Sequence, residues 1–310
     1  MLTRAFKWTA GAWVFLLFTL FLSAYTSTNA YAVDAPQYWA VVVGISEYAD
    51  SNLDVDCTAR SATEIYDQMA SIWGYDHTKL IVDSEATKSN IQSGIVNWLG
   101  SRAGENDTVL FFFTGHGDDS ESQQDYLCAH DDDISDIELN DWMCSIQSKA
   151  QIVILDSCHS GGFIEELSHN NRIVMTACDA DQHACTLFSL GHSIFSFCVL
   201  QAFNNLADVN HENDGLISAE EIYQYANSQV PKYIGSEQNP RFYDGYTGEL
   251  ELLTVPITNT EITTESPPAT GYFASNIWFA TITGVAGIAG VVLLVFVLRT
   301  KLLKRKRSLL

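Results

Sequence analysis

Positively charged residues are scarce in this sequence. The 310-residue chain contains 16 lysine and arginine residues against 38 aspartate and glutamate residues, a formal net charge of −22 at pH 7. Six of the basic residues lie in the last twelve positions, and Arg4 and Lys7 lie near the amino terminus. The acidic middle of the chain repels nucleic acid, so we expect no nucleic-acid partner. Its charge would attract cations and basic peptides, or simply keep an exposed protein soluble.

Charge is absent from a long segment near the carboxyl terminus, residues 277–298. As a helix this segment would be about 33 Å long, enough to span a bilayer. The preceding residues 256–276 are rich in threonine and proline and indicate an extended stalk. The following residues 299–310 are strongly basic, which marks the cytoplasmic side of a membrane.

The amino terminus has the layout of a secretory signal peptide. Arg4 and Lys7 precede an apolar segment at residues 13–24, and small residues follow at 28–32. We expect cleavage after Ala30 or Ala32, with an uncleaved anchor as the alternative, and residues 1–32 are left out of the fold. These features predict a single-pass type I protein of the cell membrane or another secretory membrane, with an extracytoplasmic domain at residues 37–255.

Short apolar runs alternate with segments of helical spacing through this domain. The alternation predicts an α/β fold, an open and mainly parallel sheet with helices on both faces, and 47% apolar content supplies a sizeable core. The acidic residues 118–140 are predicted to form a mobile loop with a short strand at 126–129. The predicted strands are 38–45, 79–82, 108–114, 152–155 and 172–176, and the predicted helices are 54–73, 87–99 and 193–206.

Two of the predicted strands end in residues that can perform nucleophilic catalysis. Cys158 follows the run at 152–155 and precedes Gly161 and Gly162, whereas His116 follows the run at 108–114. Active sites of open sheets collect at the carboxyl ends of the strands. Because a thiol nucleophile needs a base within hydrogen-bond reach, the two residues form a candidate dyad. The alternatives are a buried structural thiol and a loop histidine with no catalytic role.

The sequences around these residues resemble a known family. The motifs F-T-G-H-G and I-L-D-S-C-H-S-G-G resemble the caspase-like cysteine peptidases, and D-S-C-H-S-G is most similar to metacaspases and prokaryotic caspase homologues. His116 and Cys158 are 42 residues apart, close to the roughly 50 of caspases. The resemblance covers about residues 38–255 and implies the caspase-like fold. The motif departs from the caspase signature Q-A-C-[RQG]-G, so cleavage after aspartate is not implied.

The resemblance also implies roles for individual residues. The thiolate of Cys158 attacks a peptide carbonyl, His116 exchanges the proton, and the backbone N–H groups of Gly117 and Cys158 hold the oxyanion. Asp156 occupies the place of the acidic residue in the first specificity pocket of metacaspases, and Asp181 resembles a second one. Because recessed carboxylates select cations, we expect cleavage after arginine or lysine. Alternatively, Asp156 caps backbone N–H groups at the strand end.

Residues 208–221 resemble an EF-hand calcium loop with Gly215 at its sixth position. Asn210 replaces the usual first aspartate, so either the site is weakened or Asp208 serves through a two-residue insertion. Calcium is therefore the one expected cofactor, although the chemistry requires none. A second calcium role, for the aspartates at 131–133, is open. The ligands in this register are Asn210, Glu212, Asp214, the carbonyl of Leu216, Ser218 and Glu221.

Three functions are compatible with the sequence. The first is a membrane-anchored endopeptidase acting on a protein or peptide with a basic residue. The second is a transpeptidase, because the topology is also similar to the catalytic subunit of the GPI transamidase. The third is a non-catalytic sensor or binding protein. Six cysteines besides Cys158 are expected to form one or more disulfides in an oxidising compartment, and nothing indicates the oligomeric state.

Overall fold

The computed structural model describes residues 35–119, 124–187, 189–210 and 214–254, which all belong to one compact unit. The predicted signal peptide, stalk, membrane span and basic tail lie outside these residues. Of the helices within them, none combines the length and the apolar character needed to cross a membrane.

A six-stranded sheet forms the centre of the domain, in the order β12-β8-β7-β3-β1-β2. Five strands are parallel and the edge strand β12 is antiparallel, so the predicted open, mainly parallel sheet is confirmed. The strands are β1 Tyr38–Gly44, β2 Thr78–Val82, β3 Thr108–Thr114, β7 Ala150–Asp156, β8 Arg172–Thr176 and β12 Arg241–Asp244.

The central strands are buried on both faces, which explains their continuous apolar sequences. Alternate side chains point to opposite faces, so Phe112 and Ile154 belong to one core, and Phe113 and Leu155 to the other. Every residue of β3 is buried. The two cores hold the ends of β3 and β7 in a fixed register.

Helices cover both faces, as predicted. The second helix continues as a π-helical turn at Ser93–Leu99, and the fifth continues as one at Ala202–Leu206 with a kink at Asn205 (φ 75°). The helices are α1 Thr58–Trp73, α2 Lys88–Gln92, α3 Asp136–Cys144, α4 Phe163–Leu167, α5 Ile194–Gln201, α6 Ala207–Asn210 and α7 Ala219–Ile234. Two small two-stranded sheets pair β9 Thr186–Leu187 with β10 His192–Ser193, and β11 Leu216–Ser218 with β13 Glu251–Thr254.

The prediction of a mobile loop over residues 118–140 was wrong for its described part, whereas the short strand predicted within it at 126–129 is confirmed as a strand at Asp125–Cys128. Leu127 and Ile134 are fully buried and anchor a three-stranded antiparallel sheet. Its strands are β4 Gly117–Asp119, β5 Asp125–Cys128 and β6 Asp133–Ser135, and α3 follows directly. The run of three aspartates before Ile134 concealed the third strand of this sheet.

Local polar contacts stabilise the same region. Ser135 and Glu138 form a capping box at the start of α3. Lys88 pairs with Glu138 at 2.9 Å and with Asp132 at 3.7 Å, and its backbone N–H donates to Asp131. The aspartates at 131–133 thus make protein contacts that need no calcium.

All seven cysteines lie within the described residues, and all are free thiols. The expectation of disulfides was therefore wrong. Cys178 and Cys198 are buried singly against other parts of the core, whereas Cys144 is exposed on α3. Burial as small apolar side chains, rather than pairing, accounts for the buried thiols.

Candidate active site

The carboxyl ends of two adjacent strands bring Cys158 and His116 together. Strands β3 and β7 are paired in register from Thr108 to Thr114, and Thr114 lies opposite Asp156. His116 and Cys158 each follow two residues later. The predicted dyad residues therefore leave the sheet side by side, at the edge where open α/β sheets place their active sites.

Gly117 shows how closely the two loops approach. A Cβ atom at this position would overlap the carbonyl oxygen of Cys158 and lie 2.7 Å from Oγ of Ser157. Only glycine allows the backbone after His116 to pack on the backbone at Cys158. The contact also places the two predicted oxyanion donors, at Gly117 and Cys158, on neighbouring segments.

The ring of His116 is oriented by the backbone of a surface turn. Its Nε2 atom lies 2.8 Å from the carbonyl oxygen of Leu53. A carbonyl only accepts, so Nε2 carries the proton and Nδ1 of the neutral ring keeps a free lone pair. The backbone N–H of His116 donates to Oη of Tyr48 at 2.8 Å, and the two rings are 5.2 Å apart. Tyr48 and Leu53 were not anticipated from the sequence.

Cys158 is partly buried in the described structure. Its Sγ atom lies 3.8 Å from the carbonyl oxygen of Ala184, and no hydrogen bond joins its side chain to that of His116 among the described contacts. Burial raises the pKa of the Cys158 thiol, and the charge of Asp156 adds to the rise. A raised pKa favours the thiol over the thiolate, and catalytic hydrogen bonds commonly tighten only with substrate bound.

The loop that carries Cys158 is fixed by the segment at residues 178–184. His159 adopts a left-handed conformation (φ 57°), and its N–H donates to the carbonyl of Gln182 at 2.9 Å. Its Nδ1 atom donates to the carbonyl of Ala180 at 2.8 Å. His159 is thereby held by this segment, although it is adjacent to the nucleophile in sequence.

Asp156 lies below Cys158 and is only 2% exposed. Its carboxylate accepts hydrogen bonds from Oγ of Ser193 at 2.8 Å, from the backbone N–H and Oγ of Ser196, and from Thr114. Burial raises its pKa, and these hydrogen bonds oppose the rise. Only the quoted motif G-H-S-I-F-S-F, which spaces the two serines by three residues at the start of α5, could have signalled this arrangement.

The second predicted specificity residue, Asp181, is exposed at the surface. Its neighbour Gln182 accepts hydrogen bonds from the backbone N–H groups of Asp179 and Asn239. Asp179 pairs with Arg241 at 3.6 Å. Asp181 thus belongs to the segment that holds the nucleophile loop, whereas Asp156 lies beneath it.

Another thiol and histidine, Cys178 and His192, lie close to this site but are buried. The Cys178 thiol donates to the carbonyl oxygens of Gln182 and Ser157, and burial raises its pKa to about 11. His192 contacts Oγ of Ser61 and the carboxylate of Glu64 through its two ring nitrogens. Both ring nitrogens are engaged, so His192 has no lone pair available for a substrate.

The predicted calcium loop is described only in part. Glu212 and the side chain of Asn210 lie outside the described residues. Asp208 is fully buried, its Oδ1 accepts from the N–H of Gly215 at 3.3 Å, and its Oδ2 has no hydrogen-bond partner among the described contacts. Whether Asp208 or Asn210 begins the predicted calcium loop stays a prediction. Asp214 is exposed and accepts from the N–H of Leu216.

The end of this loop begins α7. Ser218 is the N-cap and forms a capping box with Glu221, whose Oε2 accepts from the N–H of Ser218 at 2.9 Å. Leu216 lies in β11, which pairs with β13. Within the described ranges, no three histidine, cysteine, aspartate or glutamate side chains converge to hold a metal ion.

Comparisons with known proteins agree with this architecture. The sequence matches the caspase domain family over residues 37–250. Among solved structures, the chain is similar to protein GSU0716 from Geobacter sulfurreducens, with 14% sequence identity and a TM-score of 0.53. The alignment covers 69% of this chain and 95% of that one, and it shows a shared fold. No curated protein matches the sequence.

Proposed function

This chain belongs to the caspase domain family of cysteine peptidases, and we propose that it is an endopeptidase with Cys158 as nucleophile and His116 as its base. One observation carries the proposal. Gly117 packs directly on the backbone of Cys158, so the ends of β3 and β7 present a histidine and a thiol side by side.

The chemistry follows from the proton positions. The Leu53 carbonyl holds the proton on Nε2, so Nδ1 of His116 is the atom that takes the proton from the Cys158 thiol. The sulfur then bonds to the peptide carbonyl carbon, and the amine leaves with the proton from His116. Water resolves the thioester and regenerates the thiol. Backbone N–H groups of Gly117 and Cys158 would stabilise the oxyanion.

We propose that the substrate is a protein cleaved after arginine or lysine. Asp156 supports this preference because its carboxylate is close enough to Cys158 for its charge to raise the pKa of the thiol, and Asp181 adds charge on the adjoining segment. Ser193 and Ser196 fix the position of the Asp156 carboxylate through hydrogen bonds. The carboxylate would attract a basic side chain through its charge at a distance, or would exchange a serine hydrogen bond for one to an incoming guanidinium. The excess of acidic residues also favours basic substrates.

The test is hydrolysis of fluorogenic peptides that end in arginine, lysine, asparagine or aspartate by the full chain. We expect cleavage after arginine and lysine, lost in Cys158→Ala, and a reduced preference for arginine in Asp156→Asn. Equal cleavage of all four peptides would remove the specificity proposal. Silence on all four would favour a transpeptidase or a binding protein, which an added amine nucleophile and product analysis distinguish.

We also propose that calcium binds the segment that begins at Asp208. The buried, unpaired oxygen of Asp208 is the observation that supports it, because a buried carboxylate oxygen is otherwise costly. In a thermal melt of the full chain, we expect calcium to raise the midpoint, and Asp208→Asn to remove the shift. The exposed residue Asp76 provides the control Asp76→Asn, which should retain it. A shift unchanged in Asp208→Asn would remove Asp208 from the site.

Membrane attachment is proposed from residues 277–298 and the basic tail after them. We expect the full chain to remain with membranes in alkaline carbonate and a chain ending at residue 276 to be released. External protease should degrade the catalytic domain in sealed cells. Release of the full chain by carbonate would contradict the anchor.

A further inference from the structure

The segment at residues 178–184 holds the nucleophile loop but has little structure of its own. None of its described residues belongs to a helix or a strand. Among the described contacts, a single main-chain hydrogen bond lies within it, from the N–H of Gln182 to the carbonyl of Asp179 at 3.1 Å. The segment nevertheless reaches the nucleophile, because the carbonyl oxygen of Ala184 lies 3.8 Å from Sγ of Cys158. Other parts of the chain must therefore fix its position.

Gln238 joins the two ends of this segment. It lies between a short 3-10 turn at Gly235–Glu237 and β12, and its side chain is fully buried. Its Oε1 atom accepts from the N–H of Cys185 at 3.0 Å, and its Nε2 atom donates to the carbonyl of Ala177 at 3.1 Å. Residues 177 and 185 directly precede and follow the segment, so one amide group holds both of its ends.

The two partners leave the amide of Gln238 a single orientation. A backbone N–H only donates and a backbone carbonyl only accepts, so the amide oxygen faces Cys185 and the amide nitrogen faces Ala177. Because Gln238 is 0% exposed, bulk water cannot replace either partner when the amide is removed. Glutamic acid offers the same two groups only in its protonated form.

The residues that Gln238 holds are themselves bonded to the elements around the site. The N–H of Ala177 donates to the carbonyl of Leu155 at 2.9 Å, near the end of β7. The carbonyl of Cys185 accepts from the N–H of Ile194 at 3.0 Å, at the start of α5. Gln238 therefore connects the strand that leads to the nucleophile with the helix behind it.

A second glutamine, Gln182, bonds the middle of the segment to the chain on either side of Gln238. Its Nε2 atom donates to the carbonyl of Ser236 at 3.3 Å, and its Oε1 atom accepts from the N–H of Asn239 at 2.9 Å. The main-chain carbonyl of Gln182 accepts from the N–H of His159 at 2.9 Å. Hydrogen bonds thus run without interruption from the chain around Gln238 to the nucleophile loop.

We propose that Gln238 is a positioning residue of the active site, which acts on Cys158 through the segment at residues 178–184. The inference rests on the proposed peptidase function. The amide holds the ends of the segment, and the segment in turn holds the loop, so the place of the sulfur depends on a side chain that does not touch it. The alternative is a buried glutamine that only supports the edge of the sheet.

The test compares two buried or half-buried glutamines that each bridge distant groups. Gln238→Met keeps a similar side-chain volume but removes both hydrogen bonds. The control Gln151→Met removes the bonds of Gln151 to the carbonyl of Met143 and to Nε of Arg172, both at 2.9 Å, at the start of β7 and far along the strand from the site. Both variants should lower the thermal midpoint of the full chain, as a structural role alone would do.

Only Gln238→Met should also impair catalysis. A misplacement of about 1 Å costs about a hundredfold in kcat, so a smaller shift of the loop should lower kcat on an arginine peptide by about tenfold. We expect little change in KM, and we expect Gln151→Met to keep the kcat of the original chain. The measurements are made well below the midpoints of both variants.

Gln238→Glu adds a readout that does not depend on the stability of the methionine variant. Burial raises the pKa of a carboxyl group, so this side chain is protonated below its raised pKa and then donates to the carbonyl of Ala177 again. We expect the ratio of its kcat to that of the original chain to recover as the pH falls from about 8 to about 5. A ratio that is constant over this range would overturn the proposal.

Hydrogen exchange separates this inference from the proposed function. Because the N–H of His159 donates to the carbonyl of Gln182, its exchange rate reports whether the segment still holds the loop. We expect exchange about tenfold faster in Gln238→Met and unchanged in Gln151→Met. If no peptide is hydrolysed, the proposed function fails and the exchange rate alone decides whether Gln238 holds the loop. Unchanged exchange in Gln238→Met, or a kcat equal to that of Gln151→Met, would overturn the proposal.

Discussion

Two thiols occupy equivalent places on neighbouring strands and differ in almost every other respect. Cys158 follows the end of β7 by two residues, and Cys178 follows the end of β8 by two. Cys158 is partly exposed, whereas Cys178 is fully buried and donates to the carbonyls of Gln182 and Ser157. Burial raises both pKa values, that of Cys178 to about 11.

The difference shows that a strand end alone does not make a nucleophile. Of β7 and β8, only β7 is adjacent to β3, which ends two residues before His116. Cys178 is one strand too far away, and its hydrogen bonds support the loop beneath Cys158 instead. In the proposed function the first thiol reacts, whereas the second supports the loop that carries it.

The largest effect should come from exchanging each thiol for alanine. We expect Cys158→Ala to lower kcat/KM on an arginine peptide by at least about a thousandfold, because the thioester cannot form. Cys178→Ala should keep activity within a few-fold but lower the free energy of unfolding by about 1 to 2 kcal/mol, through lost packing and unpaired carbonyls. Peptide kinetics and urea unfolding measure both. A comparable loss of activity in the two variants would contradict the assignment of different roles to Cys158 and Cys178.

A methyl group between the two strand ends tests the geometry of the dyad. Gly117→Ala forces the backbone away from the Cys158 carbonyl, and a misplacement of about 1 Å costs about a hundredfold in kcat. Gly104→Ala is the matched control, because its nearest contact would lie at an ordinary 3.7 Å. Full activity of Gly117→Ala would show that the close approach does not position His116 and Cys158.

The pH dependence of alkylation should separate the thiols without substrate. Thiolate is the reactive form, so a raised pKa lowers reactivity at pH 7. For Cys158 we expect the iodoacetamide rate to rise about tenfold per pH unit up to pH 9, since the thiolate fraction does so below the pKa. Cys178 should lag behind it up to about pH 11. Mass spectrometry measures the alkylation of each thiol. A rate for Cys158 that is already constant below pH 7 would instead show a resting thiolate stabilised by His116.

The smallest effect concerns the support of His116. Tyr48→Phe removes the hydroxyl that accepts from the His116 N–H and leaves the ring contact in place. Loss of one such hydrogen bond costs about 1 kcal/mol, so we expect about a fivefold fall in kcat with little change in KM. A fall confined to KM would assign Tyr48 to substrate binding.

The sequence predicted the features that depend on local pattern. Buried strands have unbroken apolar sequences, so β1, β3, β7 and β8 could be predicted. The candidate dyad could be predicted as well, because it follows the ends of β3 and β7. The partners of those residues were not. Tyr48 and Leu53 reach His116 from more than 60 positions away, and Ser193 and Ser196 reach Asp156 from about 40, and no local pattern encodes such distances.

The small sheet after His116 was predicted only in part. The strand around Leu127 lies in a short apolar run and was expected, whereas Ile134 stands alone after three aspartates and gave no sign of a buried strand. The burial of Asp156 could not be predicted either. An aspartate at a strand end gives the same sequence pattern whether its carboxylate faces solvent or accepts from buried hydroxyl groups.

The carbonyl of Leu53 has an implication for how such sites are searched for. The group that fixes the tautomer of His116 belongs to the main chain of a short surface turn at Ser51–Leu53. Replacing the side chain at position 53 leaves that oxygen in place, so a scan of substitutions would pass over a third member of the proposed catalytic set. We expect shortening or cutting the turn to abolish the proposed activity while both Cys158 and His116 remain intact.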